Sequence, residues 1–242
     1  MLKIENVEVF GWEGAIRGMR NPKNSWDKSD SKTIATLEDG KMVVRYEIGP
    51  NDLRLAKALV AGGPVHCKFR RQIMVTLDIT APMFWWKEFD TYKVGTVRDS
   101  CSTMHKITSK PFEVSDFSVE TIEGYCPQES EFSYMSGLPL NSRRALEYTI
   151  AALNNLRELY LKAKADGAED EAKIYWRKII ELLPSSYNQK STVTLNYEVL
   201  ANMRKWRCNH KLYEWSQTMC GWIDTLPYAK ELIIGPVLGE EN

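Results

Sequence analysis

The chain has 242 residues, of which 43% are hydrophobic and 26% charged, a composition that excludes a disordered or fibrous protein and predicts one globular domain over residues 1–242. Lysine plus arginine and aspartate plus glutamate both number 32, so the formal net charge is zero. Because binding to polymeric nucleic acid usually requires a basic excess, this balance argues against such a partner, although a local basic pocket for one nucleotide stays compatible with it.

Cysteine and histidine content argues against a metal site. The five cysteines lie far apart in the sequence, at Cys67, Cys101, Cys126, Cys208 and Cys220. Neither they nor the three histidines show metal-ligand or redox-motif spacing, so we predict no metal and reduced thiols. The chain starts with a strand-like alternation rather than a signal peptide, and no apolar run approaches the ~20 residues that cross a bilayer. We therefore expect a soluble cytoplasmic protein with no membrane partner.

The N-terminal part, up to about residue 125, predicts mixed α and β structure. Alternating apolar and polar residues predict strands over 3–10, 41–48 and 71–79. Asn51-Asp52 and Gly62-Gly63 bracket a predicted helix over 53–61, and a short helix follows Ala81-Pro82. The polar stretch 20–31 predicts a loop, which is either a solvated surface loop or a ligand-contacting one.

The C-terminal part, from about 140 to 235, predicts a mainly helical half. Helices are expected over 143–165, 169–183, 191–206 and 209–223. Asn141-Ser142 caps the first, Asp166-Gly167 separates it from the second, and Pro184 follows the second. The predicted fold class is therefore α+β, with a small antiparallel sheet packed with this helical half.

A set of polar residues in the C-terminal half falls at fixed intervals after Leu183-Pro184. Asn196 lies twelve residues beyond Pro184 and follows Thr194 by two, Asn202 lies six residues further on, and Arg207 lies eleven after Asn196. His210 fits the same pattern if one residue is deleted after Arg207. In this region the chain resembles the flavin-dependent thymidylate synthases.

The middle of the chain keeps part of that family's pattern and rewrites the rest. The strand ending in Ala81-Pro82 is kept, and His66 lies upstream of it, where the family places a histidine near the flavin. The family's Arg-His-Arg becomes Thr91-Tyr92-Lys93, its Arg-Gln becomes Lys87-Glu88, its Asn-Glu becomes Arg98-Asp99, and a later serine becomes Cys101, with Ser100 and Ser102 beside it. The resemblance therefore covers most of residues 60–220 but not the signature motif.

The resemblance implies an enzyme that transfers a one-carbon unit to a deoxyuridine nucleotide using reduced flavin. It implies FAD, NADPH and methylenetetrahydrofolate as cofactors, dUMP or a related pyrimidine deoxynucleotide as substrate, and a homotetramer. It implies Arg207 as the catalytic cation and His66, Asn196, Asn202 and His210 as cofactor-binding residues. For substrate binding it implies Lys87, Lys93 and Arg98 as replacements for the lost arginines, and Ser100, Cys101 and Ser102 at and beside the position of the family's serine.

Each assignment has a structural alternative. Arg207 could equally be an ordinary arginine at a helix end. The two asparagines could be a hydrogen-bonded polar pair in helix packing, and the lysines could belong to a charged surface. His66 is equally compatible with a structural role, and Cys101 is better explained as a small packing residue than as a nucleophile. At the level of function the alternatives are a non-catalytic homologue that binds nucleotides or regulates, and a flavoenzyme that modifies another pyrimidine nucleotide. An unrelated α+β scaffold is the third.

Overall fold

The computed structural model describes residues 2–122, 133–134, 138–139 and 141–235. The chain divides into two compact units, each made of non-contiguous segments. The first comprises Met1–Lys3, Ile79–Asp90 and Ser100–Ser191, and the second comprises Ile4–Asp78, Thr91–Asp99 and Thr192–Asn242. The expectation of a single domain stays a prediction.

Strands and helices alternate in the first half of the chain, and helices dominate the second. The strands are β1 Lys3–Phe10, β2 Lys32–Glu38, β3 Lys41–Glu47, β4 Met74–Pro82, β5 Thr96–Ser100, β6 Ser133–Tyr134, β7 Leu138–Pro139 and β8 Asn188–Asn196. The helices are α1 Trp12–Arg20, α2 Pro50–Ala61, α3 Met83–Phe89, α4 Thr103–Lys106, α5 Ser142–Ala165, α6 Glu169–Leu182, α7 Tyr197–Arg207 and α8 Cys220–Asp224. π-Helical turns span Glu214–Met219 and Lys230–Ile234.

A four-stranded sheet has the order β1-β4-β8-β5. The strand predicted from its alternation is confirmed as β4, and its inward residues Val75, Leu77 and Ile79 are fully buried. On the polar face Thr76 hydrogen-bonds Thr194 at 2.9 Å, and Thr192 donates to Asp78 at 2.7 Å. From Thr76 to Asp78 the residue numbers rise along β4, whereas those of their β8 partners fall from 194 to 192. The two strands therefore run antiparallel. The α+β class with a small antiparallel sheet is thus confirmed.

A separate two-stranded ribbon, β2–β3, lies in the second unit. Its antiparallel register pairs Glu38 with Lys41 and leaves Asp39-Gly40 as the turn. Both turn residues have positive φ, 48° and 76°, as a two-residue hairpin turn requires. The Asp-Gly pair was the signal in the sequence for this hairpin, of which only the second strand was predicted.

An antiparallel pair of helices, α5 and α6, lies in the first unit. The Asn141 side chain caps α5 by accepting from the Arg144 N–H at 2.9 Å, which confirms the predicted start. Gly167, at φ 72°, supplies the turn between the helices. Their apolar faces enclose a buried cluster of Ile107, Phe112, Phe117, Leu146, Ile150, Leu153 and Ile179.

The helix predicted over 191–206 is wrong in its first part. Residues up to Asn196 belong to β8, and the helix is α7, which starts at Tyr197. Ser191, Val193 and Leu195 are buried at a period of two, which is the pattern of a strand with one face inward. The helix predicted over 209–223 is likewise replaced by a turn, the π-helical segment from Glu214 and the short α8.

Candidate functional site

A cavity of about 1070 Å³ opens in the second unit. Its walls come from the end of α2, from Arg70-Arg71 in the 3₁₀ turn before β4, from the Thr91–Gly95 loop, from one side of α7 and from Ile233–Gly235. Known small-molecule sites range over about 300–1,000 Å³, so this cavity has room for a ligand as large as a dinucleotide.

Three of the predicted site residues, Asn196, Asn202 and Lys93, line this cavity together. Asn196 is the last residue of β8, in extended conformation, and its side-chain oxygen caps α7 by accepting from the Val199 N–H at 3.1 Å. Its amide N–H₂ group therefore keeps its donors for another partner. Asn202 and Lys93 are exposed at the cavity wall. The structure brings the two asparagines to one wall because one precedes α7 and the other lies on it.

Two cations of the wall are used in structural pairs. Arg70, only 8% exposed, donates from Nε to Glu198 Oε2 at 2.8 Å and from Nη1 to the Leu232 carbonyl oxygen at 3.0 Å. Arg204 on α7 binds Asp224 on α8 through both carboxylate oxygens. In each pair the carboxylate neutralises the arginine, and the contact fixes the position of that part of the cavity wall.

The remaining cations give the cavity a positive charge. Arg71 and Lys93 form no hydrogen bond or ion pair with any residue that the structure describes. Lys205 also lines the cavity and lies over the Trp206 ring at 5.1 Å from its centroid. Cations without a carboxylate partner favour an anionic ligand, and phosphate is the common biological one.

The Thr91–Gly95 loop approaches α7 at Gly95. Gly95 has φ 79°, a left-handed conformation, and a Cβ at this position would lie 2.7 Å from the Asn196 amide nitrogen. Glycine is therefore required here for both conformation and space. Its absence of a side chain lets the loop that carries Lys93 lie against the cap of α7.

Arg207 lies at the C-terminal end of α7, half-buried, beside two neighbouring aromatic rings. Its Nε donates to the Tyr92 hydroxyl oxygen at 2.9 Å. Its guanidinium carbon lies 5.5 Å from the Tyr92 ring centroid and 5.3 Å from that of Trp215. Tyr92 lines the cavity, whereas Arg207 is not among the described residues of the lining.

The two predicted histidines are not in the described lining of the cavity. His66 is exposed at the turn after α2, where its backbone N–H donates to the Gly63 carbonyl oxygen at 3.0 Å. His210 Nδ1 accepts from the Leu212 N–H at 3.1 Å, so the ring caps the turn after α7. The His210 Nε2 atom is the position left for a ligand.

The other predicted substrate-binding residues are not in the described lining of this cavity. Arg98 is half-buried on β5 in the second unit. The remaining four belong to the first unit: Lys87 and Cys101 are exposed, Ser100 ends β5, and Ser102 caps α4 by accepting from the His105 N–H at 3.2 Å. Cys126 lies outside the described residues.

The sequence reasoning missed Arg70, Arg71 and the aromatic partners of Arg207. The Arg70-Arg71 pair at the start of the strand predicted over 71–79 was the available signal, because arginines at a strand end lie near an end of the sheet. Within the residues that the structure describes, no three His, Cys, Asp or Glu side chains are grouped to hold a metal ion. The helices of that same part of the chain are all too short or too polar to span a membrane.

Comparison with solved structures identifies the fold as that of the flavin-dependent thymidylate synthases. One similar structure is thymidylate synthase X (ThyX) from Helicobacter pylori with FAD and dUMP, with a TM-score of 0.61, 16% identity, and coverage of 97% of this chain and 98% of that one. A second is a structure of the flavin-dependent thymidylate synthase ThyX from Helicobacter pylori complexed with FAD and dUMP. It has a TM-score of 0.59 and 17% identity, and the match covers 96% of this chain and 98% of that one. No protein-family model and no curated protein sequence matches the chain.

Proposed function

We propose that this protein is a divergent flavin-dependent enzyme that transfers a one-carbon unit to a deoxyuridine nucleotide. The observation that carries the proposal is the cationic cavity lined by Asn196, Asn202 and Lys93, in a fold whose solved examples hold FAD and dUMP. In this proposal FAD and dUMP, or a related pyrimidine deoxynucleotide, are the ligands. NADPH and methylenetetrahydrofolate are the proposed reductant and one-carbon donor.

The residues of the cavity fit a flavin dinucleotide in charge and in surface chemistry. Arg71 and Lys93 offer unpaired cations to a diphosphate, and the Asn196 and Asn202 amides offer neutral donors to ring carbonyl oxygens. Val60 and Ile233, with neighbouring apolar residues, supply a wall against which a planar ring system packs.

Reduced flavin, when bound, supplies the electrons for reduction of the transferred one-carbon unit. The chain's own part is to bind, orient and compensate charge. Arg71 and Lys93 neutralise phosphate, and the Asn196 amide, fixed by its cap to Val199, donates from a constant position. Arg207 donates to the Tyr92 hydroxyl and so orients this phenol at the cavity wall.

A second candidate is a nucleotide-binding homologue without catalysis, or a flavoenzyme for another pyrimidine nucleotide. The observation that favours it is the position of Arg207, whose Nε donates to the Tyr92 hydroxyl and whose guanidinium lies beside the Tyr92 and Trp215 rings. A cation held this way is less available for direct contact with a pyrimidine than an arginine at the wall.

The test starts with the absorbance spectrum from 300 to 550 nm of purified protein before and after addition of FAD and removal of the excess. Retained flavin bands and formation of dTMP from dUMP, NADPH and methylenetetrahydrofolate are expected. Retained flavin with turnover of only another pyrimidine nucleotide supports the variant enzyme. Retained nucleotide without turnover supports the binding protein, and loss of all ligands refutes the cavity assignment.

A charge-removing variant with a matched control makes the assignment residue-specific. Lys93→Gln removes an unpaired cation from the wall, whereas Lys57→Gln removes an exposed cation of α2 that is not in the described lining. We expect Lys93→Gln to raise the Kd for FAD about three- to tenfold and to flatten its salt dependence. Lys57→Gln is expected to leave both unchanged.

Assembly as a homotetramer is part of the same proposal. It is tested by light scattering coupled to size-exclusion chromatography with and without FAD, because a cofactor that bridges subunits stabilises the assembly by mass action. A monomer at every protein and FAD concentration would contradict it.

A further inference from the structure

Tyr92 is the point at which Arg207 meets the cavity. The Tyr92 side chain lines the cavity, is half-buried, and accepts a hydrogen bond from Arg207 Nε at 2.9 Å. The described lining does not include Arg207. Any influence of this cation on a ligand in the cavity is therefore transmitted through the phenol or acts across it.

The hydrogen-bonding capacity of the two groups fixes the direction of that influence. A guanidinium N–H only donates, so the Tyr92 oxygen is the acceptor, and its own O–H proton must point elsewhere. Within the part of the chain that the structure describes, the Tyr92 hydroxyl has no acceptor for this proton. A phenol that accepts from a cation is polarised and becomes a stronger donor to a third group.

Trp215 contacts both Tyr92 and Arg207. Its side chain is fully buried, its ring centroid lies 6.2 Å from that of Tyr92, and the Arg207 guanidinium lies over it at 5.3 Å. Stacking on a buried ring restricts the guanidinium to one position, and the hydrogen bond restricts the phenol in turn. The donor that the cavity receives is therefore pre-organised, which lowers the entropic cost of binding.

We propose that Tyr92 is a ligand-binding residue that donates its O–H to an acceptor oxygen of the bound nucleotide, and that Arg207 is the positioning residue that directs it. This inference rests on the proposed function of the cavity and names a specific contact within it. The acceptor is a phosphate or a pyrimidine carbonyl oxygen, both of which accept without donating. Arg207 thus acts through Tyr92 rather than by touching the ligand.

The experiment compares binding of FAD, dUMP, deoxyuridine and inorganic pyrophosphate to the wild type, Tyr92→Phe, Arg207→Met and the double variant. Tyr92→Phe keeps the ring and removes the donor, and we expect the Kd for at least one probe to rise about tenfold. Arg207→Met is expected to weaken the same probe, and the double variant to bind no more weakly than Tyr92→Phe alone. Tyr148→Phe, at an exposed tyrosine of α5, is the control and should match the wild type.

The probes identify the acceptor, because pyrophosphate carries only phosphate oxygens and deoxyuridine only carbonyl and hydroxyl groups. Wild-type binding with unchanged affinity in Tyr92→Phe would overturn the inference and leave the proposed function standing. No binding of any probe by the wild type would overturn both. A double variant weakened by the product of the two single effects would show that Arg207 contacts the ligand itself. Thermal unfolding of each variant confirms that the fold is kept.

Discussion

The loop after α1 is organised around one buried carboxylate, Asp52, and replacing it with asparagine is predicted to destabilise the protein strongly. Asp52 is fully buried, and its Oδ1 pairs with the Arg20 Nε. Its Oδ2 accepts from the Ser29 hydroxyl at 2.8 Å, the Asp30 N–H at 3.1 Å, and the Ser31 N–H and hydroxyl at 3.1 and 2.6 Å. Five donors thus converge on one side chain.

The magnitude follows from what Asp52→Asn leaves behind. An asparagine amide has one oxygen, which will face the donors of Ser29 to Ser31 because they are the more numerous. Its N–H₂ group then faces Arg20, which is 4% exposed and whose charge becomes uncompensated. Loss of one partner of a buried ion pair costs about 3–5 kcal/mol. At about 2–4 °C per kcal/mol for a chain of this size, the Tm should fall by roughly 6–20 °C.

Urea and thermal unfolding followed by circular dichroism measure this loss. Asp27→Asn in the same loop is the matched control, since Asp27 is exposed, and it should change the free energy of unfolding by less than about 0.5 kcal/mol. Combining Arg20→Met with Asp52→Asn removes the orphaned charge and should recover part of the loss. A single Asp52→Asn variant within about 1 kcal/mol of the wild type would refute the reasoning.

The remaining predictions concern acid stability, a glycine and two thiols. Burial alone raises the pKa of Asp52, but hydrogen bonds from Ser31, Arg20 and Ser29 outweigh it, so the pKa lies below its ordinary value. The ionised group therefore contributes stability that is complete above the pKa of the unfolded chain, about 3.9, and is lost as the pH falls through the folded value. Acid titration of the midpoint denaturant concentration checks this, and Asp52→Asn should lose that dependence. Gly95→Ala should destabilise by about 1–2 kcal/mol more than Gly40→Ala, since both have positive φ but only Gly95 has a close neighbour, and chemical unfolding compares them. Burial, with the neighbouring Cys208 thiol, raises the pKa of Cys220, so a thiol reagent at neutral pH should label exposed Cys101 long before Cys220; equal rates would contradict this.

Local signals made part of the fold predictable from the sequence. Helix α5 starts at its cap, Asn141, and β4 follows its alternating residues, because both signals act within a few residues of the chain. The strand β8 was missed because its partner β4 lies more than a hundred positions earlier. The helix predicted over 191–206 therefore included residues 191–196, which pairing with β4 holds in a strand.

The candidate site was predictable by residue type but not by arrangement. The intervals pointed to Asn196 and Asn202, and the structure places both at the cavity with Lys93. The same intervals could not show that the Arg207 guanidinium contacts Tyr92, because that contact joins segments far apart in the sequence. The loop 20–31 shows the same limit, since its serines serve the buried Asp52, a residue expected only as a helix cap.

The Thr91–Gly95 loop and α7 depend on each other physically. Gly95 permits the loop to approach the Asn196 cap, and this approach brings Tyr92 and Lys93 to the cavity. Once Tyr92 lies there, Arg207 has a hydrogen-bond partner in its hydroxyl and lies within cation–π range of the Tyr92 and Trp215 rings. Arg207 is therefore held by contacts within the chain, and its presence alone does not establish direct contact with a nucleotide. The function of the cavity must be judged from Tyr92 and Lys93 as much as from Arg207.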